Sequence, residues 1–207
     1  MKIFFKQNNK GFTLVETLVA VSIFTMSLLG IMSILASSIA DTTYAKQKMT
    51  ATYLAQEGIE YMRNVRDTNM FYVTDPNTIN PDPNYGWAEF KKFLIKCTSS
   101  AKCGFSKADY ASILSYSDNI FNCNPPSQGC GLLIDGTTGL YNSGVVGGTD
   151  SGFTRTIWMT KADGSTGGVE VGDNEVKIFS EVSWTTGSGL HKVTFSENLF
   201  NWWYVVE

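Results

Sequence analysis

The stretch KGFTLVE, residues 10–16, places one carboxylate at the start of a long uncharged segment. The 24 positions from Thr17 to Ala40 carry no charged side chain. A helix of that length, rising about 1.5 Å per residue, spans a bilayer core. A charged side chain inside a bilayer costs roughly 2.5–3.5 kcal/mol on insertion scales. Glu16 therefore needs a cationic partner if this segment enters a membrane.

Cleavage of the chain between Gly11 and Phe12 would create such a partner. Phe12 would then carry a cationic amine at the tip of the helix, four residues before Glu16. A carboxylate in the first turn is favoured by the helix dipole, and a charge in an apolar setting is tolerated when it is paired. The amine could belong to the same chain or to a neighbour, so stacked apolar helices could use this pair to fix their axial register.

The eleven residues before that junction hold Lys2, Lys6 and Lys10 and no acid. This excess of lysine predicts that they stay on the cytoplasmic side of a membrane. Two other interpretations of the region remain open. A secretory signal peptide would be cut after a small-x-small site such as Ser38-Ile39-Ala40, but its apolar core has about 7–15 residues. An uncleaved membrane anchor would explain the length of the segment and give Glu16 no role.

The helical pattern continues beyond Asp41. Apolar or small residues recur at spacings of three and four, which predicts an amphipathic helix; they are Ala51, Leu54, Ala55, Gly58, Met62 and Val65. No proline lies between Met1 and Val73. The sequence therefore predicts one continuous rod from about Phe12 to about Asp67, apolar all round in its first half and on one side in its second half.

After residue 152 the apolar period changes to two, which predicts antiparallel strands. Candidate strands cover 153–159, 175–184 and 190–196, and 199–206 is a further candidate. In the second of these, alternate residues form one apolar face, which consists of Val176, Ile178, Val182 and Trp184. The other face is polar, with Phe179 as its one apolar exception. The sequence predicts an α+β fold, in which a long N-terminal helix, transmembrane in its upper half, packs on a C-terminal antiparallel sheet.

Five regions are expected along the chain. They are a leader (1–11), a transmembrane and assembly helix (12–40), the amphipathic half of the same helix (41–69), a variable loop region with the cysteines (70–152) and the sheet (153–207). Within the loop region, the patches WAEFKKFLIK and KADYASILSY fit short helices.

The four cysteines lie in that loop region, with the spacings C-x5-C and C-x6-C. Zinc sites favour tighter C-x2-4-C pairs, so two disulfides in an oxidising compartment are the better interpretation. Four cysteines allow three connectivities. Local pairing, Cys97 with Cys103 and Cys123 with Cys130, would close two short loops and is favoured weakly over the other two.

Composition argues against several other functions. The net charge of −3 gives a nucleic-acid role no electrostatic support, and no nucleophile-elbow, phosphate-loop or dinucleotide motif is present. His191 is the only histidine, and its place beside a turn predicts a surface residue. Acids in glycine-rich loops, such as Asp135 and Asp150, do not fit the spacing of a calcium loop. We therefore expect no catalytic residue, no metal and no cofactor.

The basic leader, the Gly11–Phe12 junction, Glu16 and the uncharged span together resemble the type IV prepilin signal. The resemblance implies that a prepilin peptidase cuts after Gly11 and methylates the Phe12 amine. It also implies a single-pass protein of the cytoplasmic membrane, surrounded by lipid before assembly, with its globular part outside the cytoplasm. An assembly platform would then join it to other pilin subunits, with Glu16 as the pairing residue, in an extracellular or periplasmic filament.

The lower part of the helix and, more weakly, the C-terminal region are similar to minor pilins and to minor pseudopilins of type II secretion, whereas residues 70–150 resemble no known family. The features that carry this similarity are the segment 51–67, Arg155, Trp184 and the stretch 199–202. The resemblance implies a structural subunit of a type IV pilus or a related filament. A type II secretion pseudopilin would share the processing, and a pilus-tip adhesin would bind a ligand through residues 70–150. The chain departs from the family at Ser33, which stands about where many members carry a proline.

Overall fold

The computed structural model describes residues 11–72, 83–106, 120–123, 129–143, 147–163, 169, 173–187 and 189–202. Along this part of the chain the elements are α1 (Leu14–Tyr72), α2 (Pro83–Leu94), β1 (Cys103–Phe105), β2 (Ile120–Asn122), β3 (Gly131–Ile134), β4 (Tyr141–Asn142), β5 (Thr149–Lys161), β6 (Glu175–Thr186) and β7 (Gly189–Phe200). The predicted α+β fold, with a long N-terminal helix and a C-terminal antiparallel sheet, is confirmed.

The chain forms two compact units, Met1–Lys46 and Gln47–Glu207. In the first unit, α1 exposes apolar side chains on every side, from Leu14 to Ile39. The helix is unbroken at Gly30 and Ser33. The absence of proline is therefore matched by a helix that continues without interruption through this unit.

In the second unit, the predicted stripe of α1 is its buried face. Its members divide between two clusters of buried side chains. The proximal core, which lies nearer the N-terminal end of α1 in this unit, consists of Ala51, Leu54, Ala55, Leu132, Phe153, Val182 and Trp184. The distal core contains Ile59, Met62, Val65 and Met70 of α1 together with Trp87, Phe90, Val176, Ile178 and Leu199, among others. The helix continues to at least Tyr72, beyond the predicted end near Asp67, and Met70 extends its buried stripe by one more turn.

The sheet is built around β5. One edge of β5 pairs with β6 from Phe153↔Trp184 to Lys161↔Val176, and its other edge pairs with β1 and β3. β6 pairs with β7 along its whole length. All of these pairings are antiparallel. The candidate strand 199–206 does not form separately in its described part, since Leu199 and Phe200 are the last residues of β7.

The two faces of β6 follow the predicted alternation. Val176, Ile178, Val182 and Trp184 are buried, and Ser180 is buried on the same face. Phe179 lies on the opposite face, as predicted, and its ring stacks there on Trp158 of β5 at a centroid distance of 5.0 Å. The second face of the sheet is thus partly covered by its own aromatic pair.

Two glycines allow the helices to approach their neighbours closely. A Cβ atom on Gly58 of α1 would collide with Ser180 Oγ of β6 and lie 3.0 Å from Ser180 Cβ. A Cβ atom on Gly86 of α2 would collide with the backbone oxygen of Asn69 and lie 2.8 Å from its carbonyl carbon. The packing of α1 on the sheet, and of α2 on α1, therefore depends on two positions without a side chain.

The region expected to form loops contains α2 and four short strands. The patch WAEFKKFLIK lies in α2 up to Leu94, and the patch KADYASILSY lies outside the described residues. The structure contains the disulfides Cys97–Cys103 and Cys123–Cys130, which is the local pairing considered above. Both are linked to the sheet by backbone hydrogen bonds, from Met159 N–H to Cys97 O and from Arg155 N–H to Cys130 O.

Candidate processing and assembly site

The Gly11–Phe12 junction lies immediately before the helix. Neither residue has regular secondary structure, both are exposed, and α1 begins at Leu14. The side chain of Phe12 is 80% exposed. A peptidase needs an accessible stretch of backbone that is not committed to helical hydrogen bonds, and this junction meets both conditions.

Thr13 caps the helix that follows. The Glu16 backbone N–H donates to Thr13 Oγ1 at 3.3 Å, and the Thr17 N–H donates to the Thr13 carbonyl oxygen at 3.2 Å. Thr13 and Glu16 thus occupy the first and last positions of a capping-box sequence, T-x-x-E. Thr13 is not among the residues predicted above, although a threonine three residues before a glutamate, ahead of an apolar run, is a recognisable signal of a helix start.

Glu16 lies in the first turn of α1, and its side chain is exposed. It is the only charged residue between Gly11 and Ala40. The structure therefore brings the junction, the cap and the carboxylate into one helix start, as the spacing suggested. The exposed carboxylate is accessible to an amine from another molecule.

The segment after Glu16 has the length and composition of a membrane span. An 18-residue window of α1 has a mean hydropathy of 2.3, and none of the window is buried within the chain. The core helix of a soluble protein can have the same composition, but such a helix is mostly buried. This segment instead presents its apolar surface to its surroundings. A signal sequence near an N-terminus would pass the same test, and the capped start with Glu16 distinguishes this segment.

Hydroxyl side chains in this segment are hydrogen-bonded within the helix. Thr17 Oγ1 donates to the Leu14 carbonyl oxygen at 2.8 Å, and Ser27 Oγ donates to that of Ile23 at 2.9 Å. Similar bonds to carbonyl oxygens three or four residues earlier are made by Ser22, Thr25, Ser37 and Ser38. These six hydroxyl groups therefore already have acceptors within the helix.

The second unit contains a buried ion pair that joins α1 to the sheet. Arg155 of β5 is 1% exposed, and its Nη1 donates to Glu57 Oε2 at 2.7 Å. The guanidinium carbon lies 3.9 Å from the centroid of the Phe105 ring, which in turn stacks on Tyr61 at 4.1 Å. Burial lowers the pKa of the Arg155 guanidinium, and the charge and hydrogen bond of Glu57 oppose that shift.

α2 is fixed by a second buried cation. Lys91 is 4% exposed, and its Nζ donates to the backbone oxygen of Asp173 at 2.7 Å. Trp87 Nε1 donates to the same oxygen at 2.8 Å. Burial lowers the pKa of Lys91, and the nearby Asp173 charge opposes that shift. These two bonds hold α2 to the segment that precedes β6.

The remaining sequence candidates have structural contacts. His191 is partly buried, stacks on Trp184 at 5.5 Å and lies 2.8 Å from Thr186 Oγ1. Asp135 accepts hydrogen bonds from Thr137 N–H and the Thr138 hydroxyl within its own turn. Within the described ranges, no three His, Cys, Asp or Glu side chains come together in a way that could hold a metal ion.

The C-terminal aromatic run is only partly described. Trp202 is 45% exposed and packs on Phe71, which is 55% exposed, at a centroid distance of 5.3 Å. Trp203 and Tyr204 lie outside the described residues. The part that is described is neither fully buried nor fully exposed.

The comparisons with known proteins concern the N-terminal segment. Residues 6–32 match a family model described as a prokaryotic N-terminal methylation motif. This range includes Gly11, Phe12 and Glu16, and it covers about an eighth of the chain. The search of curated proteins and the search of solved structures each gave no match. The motif supports a type IV pilin-like protein that is processed as prepilins are.

Proposed function

We propose that this chain is a structural subunit of a type IV pilus or a related filament. The observation that carries the proposal is the start of α1: an exposed Gly11–Phe12 junction, a capped first turn, and Glu16 as the only charged residue between Gly11 and Ala40, in an apolar helix that the chain leaves uncovered. The match to the methylation motif falls on the same residues. An apolar helix that the chain does not cover itself must be covered by lipid or by other protein.

In this proposal a prepilin peptidase removes residues 1–11 and methylates the Phe12 amine. Residues 12–40 hold the chain in the cytoplasmic membrane, and residues 41–69 continue the helix into the globular part outside the cytoplasm. Glu16 of one subunit pairs with the Phe12 amine of a neighbour when subunits meet. The pair neutralises both charges and sets the axial position of one helix against the next.

Assembly then exchanges lipid contacts for protein contacts. Apolar burial is worth about 25 cal/mol per Å2 when the surface leaves water, but lipid tails are as apolar as the helices they surround. Little of that free energy is therefore released when the helix moves from the bilayer into a filament. We expect an assembly platform to supply energy, and we expect packing and the Glu16 pair to provide specificity.

The proposal is tested by mass spectrometry of the mature protein. We expect an N-terminus at Phe12 that carries an N-methyl group. A Gly11→Leu variant, which adds a side chain at the cut site, should retain the leader. A mature protein that begins at Met1 or Asp41 would overturn the proposal, and so would a chain that is never recovered in a polymer from cells that assemble filaments.

A further inference from the structure

The turn between β6 and β7 lies at the end of the second unit where α1 enters. β6 begins in the distal core with Val176 and ends in the proximal core with Trp184. α1 passes through the same two cores in the opposite order, with Ala51 in the proximal core. The pairing of β6 with β7 continues beyond Trp184 to Thr186↔Gly189. The turn therefore projects past the proximal core, toward the N-terminal end of this part of α1.

The turn between β3 and β4 projects from the same end. Leu132 of β3 belongs to the proximal core, and β3 then continues to Ile134, which pairs with Tyr141 of β4. The turn that follows is closed by hydrogen bonds from Gly139 N–H to Asp135 O and from Asp135 N–H to Leu140 O. Two hairpin turns thus extend beyond the proximal core in the same direction.

An exposed leucine follows each of these turns: Leu140 directly precedes β4, and Leu190 is the second residue of β7. Leu140 is 58% exposed and Leu190 is 73% exposed. A single exposed leucine on a protein surface is ordinary. These two differ from ordinary cases because they stand on neighbouring turns at one end of the unit, where glycine, threonine and aspartate otherwise prevail.

That end of the unit is also the end joined to the apolar segment. Six residues, and therefore seven Cα–Cα steps, lie between Ala40, the last position of the uncharged run, and Gln47, where the second unit begins. They extend at most about 25 Å, whatever path the chain takes. The C-terminal end of α1 is about 37 Å from Gln47 along the helix. Whatever its path, this link keeps the start of the second unit within about 25 Å of the end of the apolar segment.

We propose that Leu140 and Leu190 insert into the surface of the membrane that anchors the chain, before the chain is assembled. Because the anchor keeps the unit at high effective concentration near the lipid, two leucines suffice where a free protein would need a larger surface. Lys192, whose side chain is 68% exposed on the same hairpin, would lie at the level of the lipid phosphates. Asp135 is exposed at this end as well, so the contact relies on apolar insertion rather than on net charge.

The inference rests on membrane anchoring, which the proposed function also uses, and not on filament formation. The test uses the full chain reconstituted in phosphatidylcholine vesicles, with Leu140→Cys or Leu190→Cys labelled by an environment-sensitive fluorophore. Among the described residues no cysteine is free, so the label is specific. Phe200→Cys is the matched control, since Phe200 lies on the same strand and face as Leu190, is 50% exposed and is ten residues away.

Spin-labelled lipid should quench the labels at 140 and 190 at least threefold more than the label at 200, at every protein-to-lipid ratio. Equal quenching at all three positions would overturn the inference. Changes at 140 and 190 that develop only as protein density rises would also overturn it, because they would indicate contact with a second copy. A chain that does not float with the vesicles would refute the anchoring itself, and with it the membrane stage of the proposed function.

Discussion

Glu16 has a backbone role and a side-chain role. Its N–H closes the first turn of α1 on Thr13, while its carboxylate remains exposed. The helix dipole favours a carboxylate at this position by about 0.3–1 kcal/mol. The cost of the same charge in a bilayer is about 2.5–3.5 kcal/mol. The dipole therefore compensates only part of that cost, and a cationic partner must provide the rest.

The variant Glu16→Ala tests that partner. We expect normal cleavage and membrane insertion, because the Gly11–Phe12 junction is unchanged and the segment becomes more apolar. Incorporation into filaments should fall at least tenfold, which corresponds to about 1.4 kcal/mol of lost pairing. The measurement is the ratio of chain in sheared filaments to chain in the membrane. Thr17→Ala removes a polar side chain from the same turn and should incorporate normally; equal values for the two variants would contradict the pairing role.

The Arg155–Glu57 pair is asymmetric, since Arg155 is buried whereas the Glu57 side chain is 28% exposed. Removing the carboxylate leaves a buried cation without its charged partner, which costs about 3–5 kcal/mol in buried pairs. Removing the cation leaves a carboxylate that water can still reach. We expect Glu57→Ala to lower the melting temperature by about 6 °C or more, and Arg155→Met to lower it less. Thermal unfolding in detergent, followed by near-UV circular dichroism, checks this order, and the reverse order would refute it.

At the scale of elements, α1, α2 and β6 are positioned by close approaches at glycine. Gly58 meets Ser180, whose hydroxyl can rotate but whose Cβ is fixed by the strand. Gly86 meets the backbone of Asn69, which cannot move without displacing α1. The two contacts therefore differ in how much they can yield.

We expect Gly86→Ala to destabilise the second unit more than Gly58→Ala does. For Gly58→Ala, the steric cost of overpacking is typically about 1–3 kcal/mol. Alanine also gains about 1 kcal/mol of helix propensity over glycine, so the net effect of Gly58→Ala is smaller than its steric cost. Gly30→Ala is the control, because no heavy atom lies within 4 Å of the added Cβ. Melting temperatures of the three variants give the comparison, and similar values for Gly86→Ala and Gly30→Ala would rule out the close packing.

The main elements were predictable from the sequence because their periods are local. The apolar stripe of α1 and the alternation in β6 follow from spacings of three to four and of two. Phe179 looked irregular because it is an apolar residue on the mostly polar face, and the structure covers its ring with Trp158 of the adjacent strand. Which strands become neighbours depends on contacts distant in sequence, so this pairing had no local signal.

The contact of Arg155 with Glu57 joins residues 98 positions apart in the sequence. One signal for it was present: Arg155 alternates with Phe153 and Ile157, so it occupies a core-facing position of β5. At the helix start, by contrast, junction, cap and carboxylate all lie within six residues. That local arrangement is why the junction and the carboxylate could be proposed from the sequence, although the cap at Thr13 was overlooked.

For the whole molecule, both core clusters consist of residues in the second unit. The first unit contributes none of the buried side chains in these clusters. The stability of the globular part therefore does not depend on the apolar segment.

A chain of residues 47–207, made with its disulfides oxidised, should fold as a soluble monomer. We expect a cooperative thermal transition and a single monomeric species in analytical ultracentrifugation, because the exposed apolar segment is the part that requires lipid or other subunits. The full chain, at the same concentration and without detergent, should aggregate. A truncated chain that lacks near-UV circular dichroism would show that the first unit is needed for folding.

The hydroxyl groups along the apolar segment have a consequence for its transfer between environments. Thr17, Ser22, Ser27 and the other hydroxyl side chains described above donate to carbonyl oxygens of their own helix. They therefore need no hydrogen-bond acceptor from the lipid or protein around them. Lipid tails and apolar side chains are then equivalent surroundings for these hydroxyl groups, and none of them has to find a new acceptor when the helix is transferred. The helix can therefore move from the bilayer into a filament, and back into the bilayer, without changing these internal hydrogen bonds.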